Sequence, residues 1–87
     1  MPYSTRMVYK ETIRRVYINV KIRIDMKARR FIIEIENSGG FDFNLLRKMW
    51  KETVNNKKDF RSWFALWIEK EYHLTRFVAQ QVAEHYL

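Results

Sequence analysis

Residues 16–24 read V-Y-I-N-V-K-I-R-I, and no other stretch limits the folding choices of this chain as sharply. Val16, Ile18, Val20, Ile22 and Ile24 are aliphatic and β-branched. Tyr17, Asn19, Lys21 and Arg23 between them are polar or amphipathic. A strand sends successive side chains to opposite faces, so this alternation predicts one β-strand with a dry face and a positively charged wet face. The dry face requires a cover, and the wet face is open to solvent or to an anion.

The next segment, Asp25-Met26-Lys27-Ala28-Arg29, is mostly polar and sits between two apolar alternations, which reads as a hairpin loop. A second strand is expected over 30–36, R-F-I-I-E-I-E. Setting Asp25 opposite Arg30 aligns Ile24 with Phe31, Ile22 with Ile33 and Val20 with Ile35 on one side. On the other side Lys21 meets Glu34 and Asn19 meets Glu36, and a one-residue slip loses both agreements. Residues 1–12 admit two readings, a short helix capped by Ser4 and running through Met7 and Val8, or an edge strand before the main one; the strand is preferred, because Thr5, Val8, Tyr9, Thr12 and Ile13 suit a pleated surface.

Asn37-Ser38-Gly39-Gly40 holds both glycines of the chain and ends the expected sheet with a segment able to take positive φ. Three helices are expected after it. Asp42 caps the first, 43–54, with Phe43, Leu46, Met49, Trp50 and Val54 at helical spacing and Arg47, Lys48, Lys51 and Glu52 opposite. A polar linker, 55–58, follows. Asp59 caps the second, 60 to about 72, whose stripe is Phe60, Trp63, Phe64, Trp67 and Ile68. Tyr72-His73-Leu74 is a tight turn. Thr75 caps the third, which runs to the C-terminus with Phe77, Val78, Val82 and Tyr86 on its apolar side, towards which Gln81 and His85 also turn. Strands followed by helices define an α+β domain: an antiparallel β-hairpin of two or three strands, then three helices packed on one face. With 87 residues the chain makes a single domain, 1–87, with a β-rich basic half over 1–37 and a helical half over 42–87.

Composition narrows the function. An apolar share of 47% with 16% aromatic residues excludes a disordered chain. The absence of cysteine excludes disulfides and thiolate metal sites, and suits a cytoplasmic location. The N-terminal M-P-Y-S-T-R lacks the apolar core of a signal peptide, and no apolar run is long enough to span a membrane. His73 and His85 have no acid at ligand spacing, no glycine loop can cradle phosphate, and no serine sits in an elbow motif, so no catalysis, cofactor, metal or small-molecule substrate is expected. Glu71, on the stripe of the second helix, reads as a boundary residue that reaches solvent or pairs with a lysine.

Seventeen Lys and Arg against ten Asp and Glu give a formal charge of +7. Residues 1–41 hold nine basic and four acidic side chains, a net +5. An excess of this size favours an anionic partner, nucleic acid first. Two surfaces compete for it. On the hairpin, Arg14, Arg15, Tyr17, Lys21 and Arg23 lie along or beside the wet face, and Lys27, Arg29 and Arg30 crowd the tip, where no glutamate dilutes them.

The second surface is helical. Residues 68–82, I-E-K-E-Y-H-L-T-R-F-V-A-Q-Q-V, resemble the helix-turn-helix motif of DNA-binding proteins. Ile68, Tyr72, Leu74 and Val82 match its apolar positions and Thr75 its polar cap. His73 stands where the motif usually has glycine, and Glu69 where it prefers a small residue. The resemblance implies that Arg76 and Gln80 lie on the exposed face of a reading helix, with guanine or phosphate and adenine as their natural contacts. The expectation is a small basic nucleic-acid-binding protein, DNA before RNA, acting as a homodimer. The alternative is a protein-interaction module, such as a viral or mobile-element factor that binds a host protein. Leu45, Leu66 and Leu87, off the main stripes, are its candidate contact surface.

Overall fold

The computed structural model describes residues 2–53 and 58–87, with side-chain surroundings over 13–53 and 58–87. Among the described residues the chain forms four helices and no strand: α1 (Pro2–Asn37), α2 (Phe43–Glu52), α3 (Phe60–Glu71) and α4 (Arg76–Tyr86). The fold is all-α, which overturns the expected α+β architecture. Both predicted strands, the hairpin loop between them and the strand read over residues 2–12 lie inside one 36-residue helix.

The error has a physical origin. A helix advances about 100° per residue, so side chains two apart are about 200° apart. An alternating run wound into a helix therefore splits into two apolar stripes on opposite sides. Val16, Val20 and Ile24 recur every fourth residue and are joined by Ile13, Tyr17, Ala28, Phe31 and Ile35 into one continuous stripe. Ile18, Ile22, Met26 and Ile33 make the other. The segment read as a hairpin loop contains no helix breaker; Met, Lys, Ala and Arg are strong helix formers. Pro2 stands in the first turn, where its missing N–H is no loss, and no further glycine or proline occurs before residue 39.

Gly39 and Gly40 end this helix rather than a sheet. Gly40 N–H donates to the Ile35 carbonyl at 2.8 Å and Gly39 N–H to the Glu36 carbonyl at 3.2 Å. These two bonds make a Schellman cap, and both glycines hold positive φ, +108° and +78°. The expected conformational freedom of this pair is observed.

The three later helices follow the sequence closely. Asp42 accepts from Leu45 N–H at 3.1 Å, Asp59 from Ser62 N–H at 3.3 Å and Thr75 from Val78 N–H at 3.4 Å, each capping the predicted helix. Helix α2 ends at Glu52 with Thr53 as C-cap; Val54 and most of the expected linker lie outside the described residues. His73, in the turn before α4, is the non-glycine residue with positive φ among the described residues, at 54°. Phe77 and His85 depart from expectation. The buried face of α4 is Val78, Ala79, Val82 and Ala83, while Phe77 is 64% exposed and His85 is exposed. Small alanines allow neighbouring helices to come close, so the face with two alanines packs inward and a phenylalanine about 170° from the centre of that face does not.

Helix α4 is the centre of the molecule, packed against both α3 and α1, and α2 packs on α3. Tyr86 at the end of α4 bonds Glu36 at the end of α1. Phe77 at its start lies with Tyr17 and Val20. The two helices therefore run parallel, and residues N-terminal to about Tyr17 extend past the bundle. A compact 87-residue chain has a radius of gyration of about 12 Å. The value here is 18.1 Å, over extents of 61 × 33 × 19 Å, because α1 is about 54 Å long. The core gathers Ala28, Phe31, Leu46, Phe60, Phe64, Ile68 and the four α4 residues. Phe41, in the α1–α2 loop, joins the helices: its ring meets Phe64 and Tyr86 edge-on at 5.3 Å, and Phe31, Phe43, Trp67 and Tyr72 surround it.

Candidate nucleic-acid interface

The hairpin wet face does not exist, because its members are wound around a helix. Arg15, Tyr17, Asn19, Lys21 and Arg23, two residues apart in turn, alternate between the two sides of α1. The helix regroups the predicted cations differently. Arg23, Lys27 and Arg30 stand at i, i+4 and i+7 and form one row on a flank of α1. Arg14 and Lys21, seven residues apart, share the other flank. Arg15 and Arg29 lie on the outer face, away from α4. Tyr17 belongs to the stripe that faces α4 lower down, and lines a groove of about 360 Å³ with Val20, Lys21, Ile24, Phe77 and Gln80.

All seven cations between residues 14 and 30 are exposed, and none is paired with a carboxylate among the described residues. The α1 helix carries nine basic and four acidic residues, so five of the seven net charges of the chain reside on this one helix. The row Arg23–Lys27–Arg30 spans about 10 Å along the axis. That is the rise of about three phosphates along one DNA strand.

Arg76 and Gln80 are exposed on α4, as expected of them individually. They line a groove of about 860 Å³ between α3 and α4 together with Lys58, Asp59, Arg61, Glu69 and Glu84. Three cations and three carboxylates make this surface charge-balanced, and Arg61 and Glu84 approach to 3.6 Å. Hydrogen bonds from Ser62, its hydroxyl first, hold the Asp59 carboxyl below its ordinary value and keep it charged in this groove. The groove therefore lacks the electrostatic excess of α1. The structure does not bring Arg76 and Gln80 onto the Arg23–Lys27–Arg30 row.

One cationic group escaped the sequence reading as a site. Arg47, Lys48 and Lys51 are exposed on α2 around a shallow depression, and the Arg47 guanidinium lies 4.6 Å over the Phe60 ring. Three cations in five positions opposite an apolar stripe was the available signal. Leu45 and Leu87 are exposed, and Leu66 is half-buried in the α3–α4 groove. His73, His85 and Glu71 are exposed, and among the described residues no three His, Asp or Glu side chains gather to hold a metal ion. Among those residues, too, no helix is long and apolar enough to cross a membrane.

Searches against protein-family models, curated proteins and solved structures return no match to this chain.

Proposed function

We propose that this protein binds nucleic acid in the cytoplasm, duplex DNA before RNA, through the phosphate backbone, with α1 as the contact element. The observation that carries the reading is the concentration of unpaired positive charge on a helix that projects from its bundle. Lys and Arg side chains release condensed counterions when they neutralise phosphates, which makes such binding strong at low salt and weak at high salt. The Arg23–Lys27–Arg30 row is the central contact. Arg14, Arg15, Lys21 and Arg29 extend the field around the rod. Arg76 and Gln80 have a smaller role, since their groove is charge-balanced and attracts polyanions weakly. No catalytic step belongs to this reading.

A salt titration against B-form DNA and A-form RNA duplexes tests it. Affinity should fall with a log–log slope of about −3 or steeper, the value for three or more phosphates. Arg23→Glu with Lys27→Glu should abolish binding with helix content unchanged, while Arg76→Ala with Gln80→Ala should weaken it by less than tenfold. No detectable affinity at low salt, or affinity indifferent to salt, overturns the reading; a salt-tolerant protein partner would then be the better one.

A further inference from the structure

The outer face of α1, opposite the face that meets α4, carries an uncovered apolar stripe. Ile18, Ile22, Met26 and Ile33 are 47%, 49%, 58% and 60% exposed. They lie along about 22 Å of helix, and among the described residues no other helix lies over them. A cluster of large apolar side chains left exposed along one helix face, here interrupted only at Arg29, marks an interaction site. The charges on the same face indicate what covers it. Arg15 stands one turn before Ile18, and Glu36 one turn after Ile33. The pattern is close to its own reverse about the midpoint of Asp25 and Met26. When the helix is turned end for end, Ile18 falls on Ile33, Arg15 falls on Glu36, and Ile22 falls beside the aliphatic stem of Arg29, within a turn of Asp25.

We infer that α1 pairs with α1 of a second copy of this chain, antiparallel, along Ile18, Ile22, Met26 and Ile33, with Arg15 of each copy against Glu36 of the other. A parallel pair would set Arg15 against Arg15 and Arg29 against Arg29, and like charges at these positions oppose association. The antiparallel pair is a two-fold, self-complementary contact, the commonest closed arrangement of identical chains. Glu36 already accepts the Tyr86 hydroxyl on Oε1, and its second oxygen is available to the guanidinium. The stripe lies opposite the α4 contact, so pairing leaves each bundle intact. It also places the two Arg23–Lys27–Arg30 rows on the same side of the dimer. The pairing does not depend on nucleic-acid binding.

Sedimentation and cysteine cross-linking test this on the full chain, which has no native thiol. The protein should sediment at twice its 10.8 kDa chain mass. Ile18→Cys protein mixed with Ile33→Cys protein should cross-link between the two, and neither should cross-link to itself, since a disulfide needs Cα atoms within about 7 Å. Arg15→Glu and Glu36→Arg should each raise the dimer dissociation constant at least tenfold, and combining them should restore it. Tyr86→Phe, which removes the Glu36 bond within the chain, should leave the dimer in place. A monomer at all concentrations, self-cross-linking of Ile18→Cys, or no recovery in the double charge swap overturns the inference.

Discussion

The two halves of α1 carry the same kinds of side chain and meet different surroundings. Ile24, Ala28, Phe31 and Ile35 pack against the α4 side of the bundle, with Ala28 and Phe31 buried. Ile13, Val16, Tyr17 and Val20 continue the same stripe and are all exposed. Hydrophobic spacing therefore does not decide burial; the length of the facing helix does. The 11-residue α4 covers only about 17 Å of a helix about 54 Å long. A long helix rich in β-branched residues has modest intrinsic stability in water, and tertiary packing supplies most of what holds a helix. The comparison teaches that the packed half anchors the helix through one face only, so its flanks and outer face stay as open to other molecules as the projecting half.

The largest expected effect belongs to the anchoring region. Phe64, fully buried between Phe41, Phe43 and Phe60, should cost about 3–5 kcal/mol of unfolding free energy on Phe64→Ala. Chemical denaturation followed by Trp fluorescence measures it, and a loss under 1 kcal/mol would move the core elsewhere. Next comes the α4 cap. Thr75→Ala should cost about 1 kcal/mol by the same assay. His73→Gly should act in the opposite direction, gaining about 1 kcal/mol by relieving a left-handed backbone, and a destabilised variant would mean that the imidazole is needed where it stands.

The projecting half should respond weakly. Val16→Ala should change stability by no more than about 0.5 kcal/mol and raise helix content slightly, because Val16 is exposed and alanine is the better helix former. A strand would lose stability from the same change. A loss above 1 kcal/mol would break the comparison between the two halves.

The smallest effects are expected in pH titrations. The Asp59 carboxyl is held below its ordinary value of 3.8. Its contribution to the α3 cap is fully present above that value and is lost as pH falls through the lower folded one. Tyr86 is the reverse case: burial, and then its bond to the Glu36 carboxylate, raise its hydroxyl well above 10.0. Its contribution is fully present below pH 10.0 and is lost as pH rises towards the folded value. Asp59→Asn should flatten the acid limb of the melting-temperature profile, and Tyr86→Phe the alkaline limb.

Much of the helical half was legible in the residues. A cap at Asp42, Asp59 or Thr75 needs only a side-chain oxygen and an N–H three positions on, so local sequence carries all the information. The glycine pair was legible as a stop but not as to what it stopped, since positive φ ends strands and helices alike. Phe41 was missed as a core residue because it lies in a loop, where periodicity is silent. Exposed Phe77 was misplaced because apolar character alone does not tell which face an alanine-rich helix turns inward. The candidate interface was legible as a list of cations and not as a surface. Arg23, Lys27 and Arg30 form a row only on a helix.

By itself the sequence determined the capped starts of the three helices after residue 41, the break at Gly39-Gly40 and the concentration of positive charge before it. These depend on residues within a few positions of one another. Only the tertiary structure decided that 16–24 is helical, and which of its two apolar stripes is buried. Val16, Val20 and Ile24 at spacing four satisfy a helix as well as they satisfy every second position of a strand. The two stripes of α1 are similarly apolar, so the choice between them rests with the Val78, Ala79, Val82 and Ala83 face of α4, more than forty residues away in the chain.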